Sequence, residues 1–310
     1  MKARILLLTA ATFSLILIFT ACKKETSPGN TDYTTEASAQ SDDQSRFSSE
    51  VDGVSNDANL ALESTSSFAG RGNQVQTLIC NATVVIDSLS NPRTITITYN
   101  GPSCFGYTTR TGVVVLSMPA NTRWRNAGAA ITVTYQNLQI TRLSDNKSIT
   151  INGSHVYTNV SGGLLINLPT LGTITHTITS SNMSVTFDNG SQRTLQVAKQ
   201  RVFTYTNGVV ITTTGTHSEG GVTGIAEWGT NRFGHSFTTS IVQPLVIRQD
   251  CNLRLVSGQV HHVTTGFNAT ATFGLDANGN PTTCPGTGNF YMKIEWTGIG
   301  GNTHTVILPY

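Results

Sequence analysis

Residues 94–99 read TITITY, and the same alternation returns as ITVTY at 131–135 and TITHTIT at 173–179. Branched aliphatics that alternate with threonine describe half-buried strands, because successive side chains of an extended chain point to opposite faces. One face collects isoleucine and valine, and the other collects hydroxyls. This period of two runs through residues 76–310, which are expected to form the β domain. Asn189-Gly190 and Asn207-Gly208 sit between strand-like runs, and both residue types accept positive φ, so they predict tight hairpins. Asp145-Asn146, Gly220-Gly221, Asn278-Gly279 and Gly300-Gly301 punctuate the chain in the same way.

The spacing gives an all-β fold: an antiparallel meander of about a dozen strands forming a curved sheet, open barrel or sandwich, with one N-terminal helix. In the run from Ala129 to Arg142, Ile131, Val133 and Tyr135 share one parity, whereas Leu138 and Ile140 take the other. A bulge at Gln136 or Asn137 produces that change of phase. Long bulged strands favour a curved sheet or open barrel over a compact Greek key.

Upstream of the strands the pattern is different. Lys2 and Arg4 open a short basic region, Ile5 to Phe19 are almost wholly apolar, and Thr20-Ala21-Cys22 follows. Residues 1–21 therefore read as a signal peptide too short to span a bilayer comfortably. Cys22, directly after small Ala21, is the expected lipidation site, although Phe19 departs from the leucine usual at that place. Residues 22–41 are rich in Thr, Ser, Gly and Asp, and they read as a flexible tether that cannot bury enough apolar surface to fold alone. Within 42–66, Phe47, Val51, Val54, Ala58, Ala61 and Leu62 recur at three- and four-residue intervals, the mark of one helix face. Gly53 and several Ser and Asn residues weaken that helix in isolation, so it is expected to depend on docking against the strands.

Removing residues 1–21 takes away two basic residues and no acidic ones, leaving seventeen of each sign. A neutral chain lacks the clustered basic surface that nucleic acid requires. Only 12% of residues are charged, about half the usual globular share of roughly 25%. Lys23 follows the cysteine, with no aspartate to retain the chain at the inner membrane. The expected address is the outer membrane, with the lipid as membrane partner and the side of exposure open.

Four further cysteines, Cys80, Cys104, Cys251 and Cys284, form an even set in an oxidising compartment and predict two disulfides. An internal similarity selects the pairing. CNATVV leading through TITITYNGPSC to VVVLSM parallels CNLRLV leading through NATATFGLDANGNPTTC to FYMKIEW. Each block opens a strand with one cysteine and ends a turn with the next, so Cys80 is paired with Cys104 and Cys251 with Cys284. No C-x-x-C spacing suggests zinc.

The sequence offers no catalytic constellation, and no cofactor or metal site is expected. Its seven histidines are scattered. Adjacent His261 and His262 point to opposite faces of a strand, and His176 shares parity with Ile174 and Ile178, which places it inward. Asp276-x-Asn278-x-Asn280 resembles the start of a calcium loop, but Pro281 stands where that loop needs glycine, so a turn is expected. Gly234-His235-Ser236 has no strand-to-helix setting, and Asp250 with Glu295 is only a nominal carboxylate pair. Trp124 between Arg123 and Arg125 is the candidate binding residue, since an exposed indole flanked by guanidinium groups stacks well on a sugar or a protein partner. Its alternative is a loop tryptophan folded over the sheet edge. Trp296 shares parity with Ile294 and is expected in the core; Trp228 precedes a turn and has no assigned place.

The motifs RTITITYNGPSC, TRTGVVV and ITVTYQNLQITR, with the later GTNRFGHSF, PLVIRQDC, FGLD and CPGTG, resemble a family of Bacteroidota lipoproteins of unknown function. The resemblance covers nearly the whole mature chain and implies an address and a shared β-fold, with no activity or functional residue to carry over. The expected function is non-enzymatic: an envelope lipoprotein that binds or scaffolds a partner. Carriage of an apolar ligand or lipid in a half-barrel, and surface adhesion or glycan binding, are the alternatives.

Overall fold

The computed structural model describes residues 33–70, 79–104, 106–286, 288–297 and 301–310. Helix α1 (Thr34–Ser64) is followed by the single turn α2 (Ser66–Ala69). Strands β1 (Ala82–Asp87), β2 (Arg93–Pro102), β3 (Thr108–Met118), β4 (Ala129–Arg142) and β5 (Ser148–Asn159) come next. After the turn α3 (Leu168–Leu171) come β6 (Thr173–Phe187), β7 (Gln192–Tyr205), β8 (Val209–Gly215), β9 (His217–Glu219) and β10 (Val222–Thr230). The chain closes with β11 (Ser236–Arg248), β12 (Arg254–Thr264), β13 (Asn268–Leu275), β14 (Tyr291–Thr297) and β15 (Thr303–Pro309). The expected signal peptide, the expected lipidation site Cys22 and the first part of the expected tether lie outside the described residues.

All fifteen strands belong to one antiparallel sheet that runs in chain order from β1 to β7 and from β10 to β15. A sandwich of two sheets is thereby set aside in favour of a single curved one. Strand β7 pairs with β8 through Lys199–Tyr205 and with β10 through Thr194–Val197. Strand β11 pairs with the same two, so β7, β8, β11 and β10 close into a small ring in which β8 and β10 lie end to end.

Alternation decides which side of each strand is buried. In β2, Ile95, Ile97 and Tyr99 are buried, while Thr98 is exposed. In β4 the inner series runs Ile131, Val133 and Tyr135, then resumes at Leu138 and Ile140 after the bulge. Asn137 sits in that bulge at φ 49°. Its carbonyl oxygen would clash with a Cβ placed on Gly112 of β3, so glycine is what lets the bulged strand approach its neighbour. The arrangement repeats where the register of β6 shifts between Ser180 and Met183 and Asn182 backs onto Gly153 of β5. Paired bulges and glycines bend a sheet sharply.

The bend curls the sheet around α1. Phe47, Val51, Val54, Ala58, Ala61 and Leu62 are buried against the inner residues of β2 to β7, as their spacing predicts. At the other end Ala37 packs among Val260, Ala269, Ile294 and Trp296. The helix is longer than expected: it starts at Thr34 and not at Asp42, so the tether assignment fails for residues 34–41. Those residues carry little apolar periodicity because most of their buried side chains are polar and find partners, or space, inside the sheet.

The cysteine pairs fall as the internal similarity requires. Cys80 and Cys104 have Cα atoms 5.2 Å apart, and Cys251 and Cys284 5.3 Å. Each links the residue before the first strand of a three-stranded unit to the turn after its second, once for β1–β3 and once for β12–β14.

Candidate functional site

Inward positions of a sheet normally carry apolar side chains. Here several carry charge. On β7, Arg193, Lys199 and Arg201 share parity with Leu195, Val197 and Phe203, and all six are buried. Glu227 of β10 and Arg193 are fully enclosed. Residues 34–64 hold seven carboxylates against one basic side chain, Arg46, so an acidic helix lies on a floor of cations.

The contacts are specific. Arg110 of β3 meets Glu50 at 2.9 Å and Asp57 at 3.3 Å, and the Tyr99 hydroxyl donates to Asp57 at 2.9 Å. Arg142 of β4 reaches Asp42 at 2.7 Å. Arg201 pairs with Asp52, and Arg232 with Asp43 while stacked 3.5 Å over the Phe187 ring. Asn231 and His235 meet Glu36 at 2.7 and 2.8 Å. Near the helix end, Glu63 accepts the backbone N–H groups of Leu165 and Ile166. At the centre, Glu227 receives Lys199 at 2.5 Å and Arg193 at 3.3 Å; Ser48 of α1 donates to it at 3.1 Å, and Gln44 accepts from Arg193 at 2.5 Å.

Electrostatics follow from enclosure. Burial alone would raise the Glu227 carboxyl, yet Lys199 and Arg193 outweigh it and hold the group below the usual carboxylate range. Burial pushes Asp43 up to about 6 against the opposing pull of Arg232, and it also raises Asp52 and Asp57. His155, His176 and His262 are each pressed down to about 3, first by burial and then by neighbouring cations, so they are neutral at pH 7. His262 Nδ1 lies 2.9 Å from the Thr239 hydroxyl, and His155 Nδ1 lies 3.2 Å from that of Tyr135. The arrangement orients α1: each ion pair is satisfied in one register only, and a slip of one turn would leave buried charges without partners.

The residues singled out by sequence go elsewhere. Trp124 is 1% exposed, its ring 5.1 Å from His176, and its backbone is held by Phe68 and Asn159. Stacking on an external sugar is therefore overturned; the loop before β4 folds the indole over the end of the core. Arg123 donates to the carbonyls of Ala120 and Thr122, and Arg125 is exposed beside a buried ring it cannot assist. Asp250 is paired with Arg248, and Glu295 with Lys293, so these carboxylates serve their own neighbours. Asp250 also lies near Cys251 and Cys284, whose sulfurs are joined to each other. The Asp276 side chain caps its own turn by accepting from Asn278 and Asn280, both at 2.9 Å. His176 and Trp296 are buried as expected, and Trp228 stacks on His217 at 4.1 Å.

The ionic interior is not evident when each strand is read by itself. Its signals in the sequence are the parity of Arg193, Lys199 and Arg201 with apolar neighbours and the acidic bias of residues 34–64. No family model, curated protein or solved structure matches the chain.

Proposed function

We propose that the chain is a non-enzymatic envelope lipoprotein, held at the outer membrane by lipid on Cys22, whose β domain binds or scaffolds a partner through its outer face and loops. One observation carries this reading: the concave side of the sheet, where a curved β fold would hold a ligand or a reaction centre, is filled by the chain's own α1. The surface left for partners is the hydroxyl-rich face represented by Thr98, Thr132 and Thr179. An apolar carrier would need an open apolar concavity, and the ionic packing around α1 argues against that alternative.

Two measurements test it. Labelling with an alkyne fatty acid should mark the full chain, and Cys22→Ala should abolish both the label and membrane retention; an unlabelled chain still cut before Cys22 would refute the anchor. Native mass spectrometry of the purified mature chain should show the acylated chain with no further lipid bound. A co-purifying lipid would instead favour carriage.

A further inference from the structure

The two halves of α1 are held by different forces. From Phe47 onward the helix is anchored by apolar contacts, while residues 35–46 bury only one apolar side chain in the described core clusters, Ala37. The rest of their attachment is polar, through Glu36, Asp42, Asp43, Gln44 and Arg46.

Beneath this polar half lie enclosed groups with nothing to bond. Among the described residues, both amide atoms of Gln40, Nε and Nη1 of Arg193, and Nε2 of His262 are buried without a hydrogen-bond partner. The register lines them up: Glu227, the partner of Arg193, lies opposite Thr239, and Thr239 lies opposite His262. Gln40 stands one turn before Gln44, whose side chain sits on Arg193. His262 pairs in register with Ala269, which packs in the same cluster as Ala37, three residues before Gln40. Arg193 is further fixed by its guanidinium stacked 4.2 Å over Phe237.

Unpaired buried donors are costly, and such groups in folded proteins ordinarily meet a water or an ion. The donor set decides between these. Arginine only donates, so its Nε and Nη1 hydrogens call for an acceptor, and an anion accepts from several donors at once without bringing hydrogens of its own. Charge points the same way: Arg193 and Lys199 share the one carboxylate of Glu227.

We propose that the junction between the N-terminal half of α1 and strands β7, β10, β11 and β12 is a binding site for a small monovalent anion, a halide or a compact carboxylate, with Arg193 as principal ligand and Gln40 and His262 flanking it. The site is independent of the lipoprotein reading. Release of the polar half of α1, which is tied down by ion pairs and little apolar surface, would admit the anion.

The test uses the intact mature chain. Crystals grown in sodium bromide should give an anomalous bromine peak in contact with Arg193, and crystals grown in sodium acetate should place a carboxylate there if that is the preferred guest. In solution at constant ionic strength, Tm should rise with the logarithm of bromide or acetate concentration, while gluconate, a far larger anion, should give no rise. Gln40→Met, which keeps the length and unbranched shape of the side chain and removes the amide, should shift the midpoint of that response several-fold to higher anion concentration. Only ordered water beside Arg193, or equal Tm responses to all three salts, would overturn the proposal.

Discussion

Glu227→Gln is the most informative single substitution. The amide keeps the shape of the carboxylate but removes its charge, leaving Arg193 and Lys199 buried against a neutral group. Both cations are almost completely enclosed, and Ser48 and Gln44 on α1 bond to the same cluster. Breaking a buried pair by removing one partner costs about 3–5 kcal/mol, because the stranded charge retains its desolvation penalty. At about 2 °C per kcal/mol for a chain of this size, Tm should fall by roughly 6–10 °C. Urea unfolding followed at a helical and a β-sheet wavelength should show the loss. The companion Glu227→Gln/Lys199→Met chain should recover part of it, since deleting the second cation relieves the imbalance, and the double-mutant cycle then measures the coupling. A loss below about 1 kcal/mol for the single variant, or strict additivity in the cycle, would show that the cluster is solvated and would refute the buried-charge argument.

Other consequences are as direct. His176 has a folded pKa of about 3 against an ordinary 6.5, so between those values the unfolded chain binds a proton that the native one refuses. Its contribution therefore falls with falling pH by about 1.4 kcal/mol per unit. His176→Phe should gain on the parent by that slope when unfolding is compared at pH 7, 5.5 and 4. Replacing either cysteine pair by serine should cost about 3.5 kcal/mol on the chain-entropy estimate, and non-reducing peptide mapping should recover Cys80 with Cys104 and Cys251 with Cys284. Gly112→Ala must place a Cβ against the Asn137 carbonyl at a φ of 112°, so a loss of about 1–3 kcal/mol is expected in denaturant melts. Trp124→Ala should lower stability by about 3–5 kcal/mol as a core truncation, and acrylamide should quench the parent's Trp124 emission less than that of half-buried Trp228.

Much of the fold is legible in residue spacing. Alternation in TITITY and its relatives assigns the buried parity, Asn189-Gly190 and Asn207-Gly208 mark real hairpins, and the phase change at Gln136–Asn137 locates a real bulge. The likeness between the two cysteine blocks chooses the disulfide pairing. The apolar stripe from Phe47 to Leu62 announces the docked half of α1. These are local or self-similar features, written in the order of residues along one element.

The candidate site is not legible in that way. Arg193 and Gln44 are 149 residues apart and meet only because the sheet curls over the helix. Spacing tells which side of its own element a side chain faces, and it carries no record of what stands opposite. Trp124 is misplaced by its neighbours for the same reason, since the flanking arginines suggest exposure while the loop turns the ring inward. Residue order thus suffices for strands, turns, cross-links and the anchored part of the helix. Only three-dimensional packing dictates that one sheet encloses an acidic helix on a cationic floor, because charge pairing across a fold depends on distances that chain order does not encode.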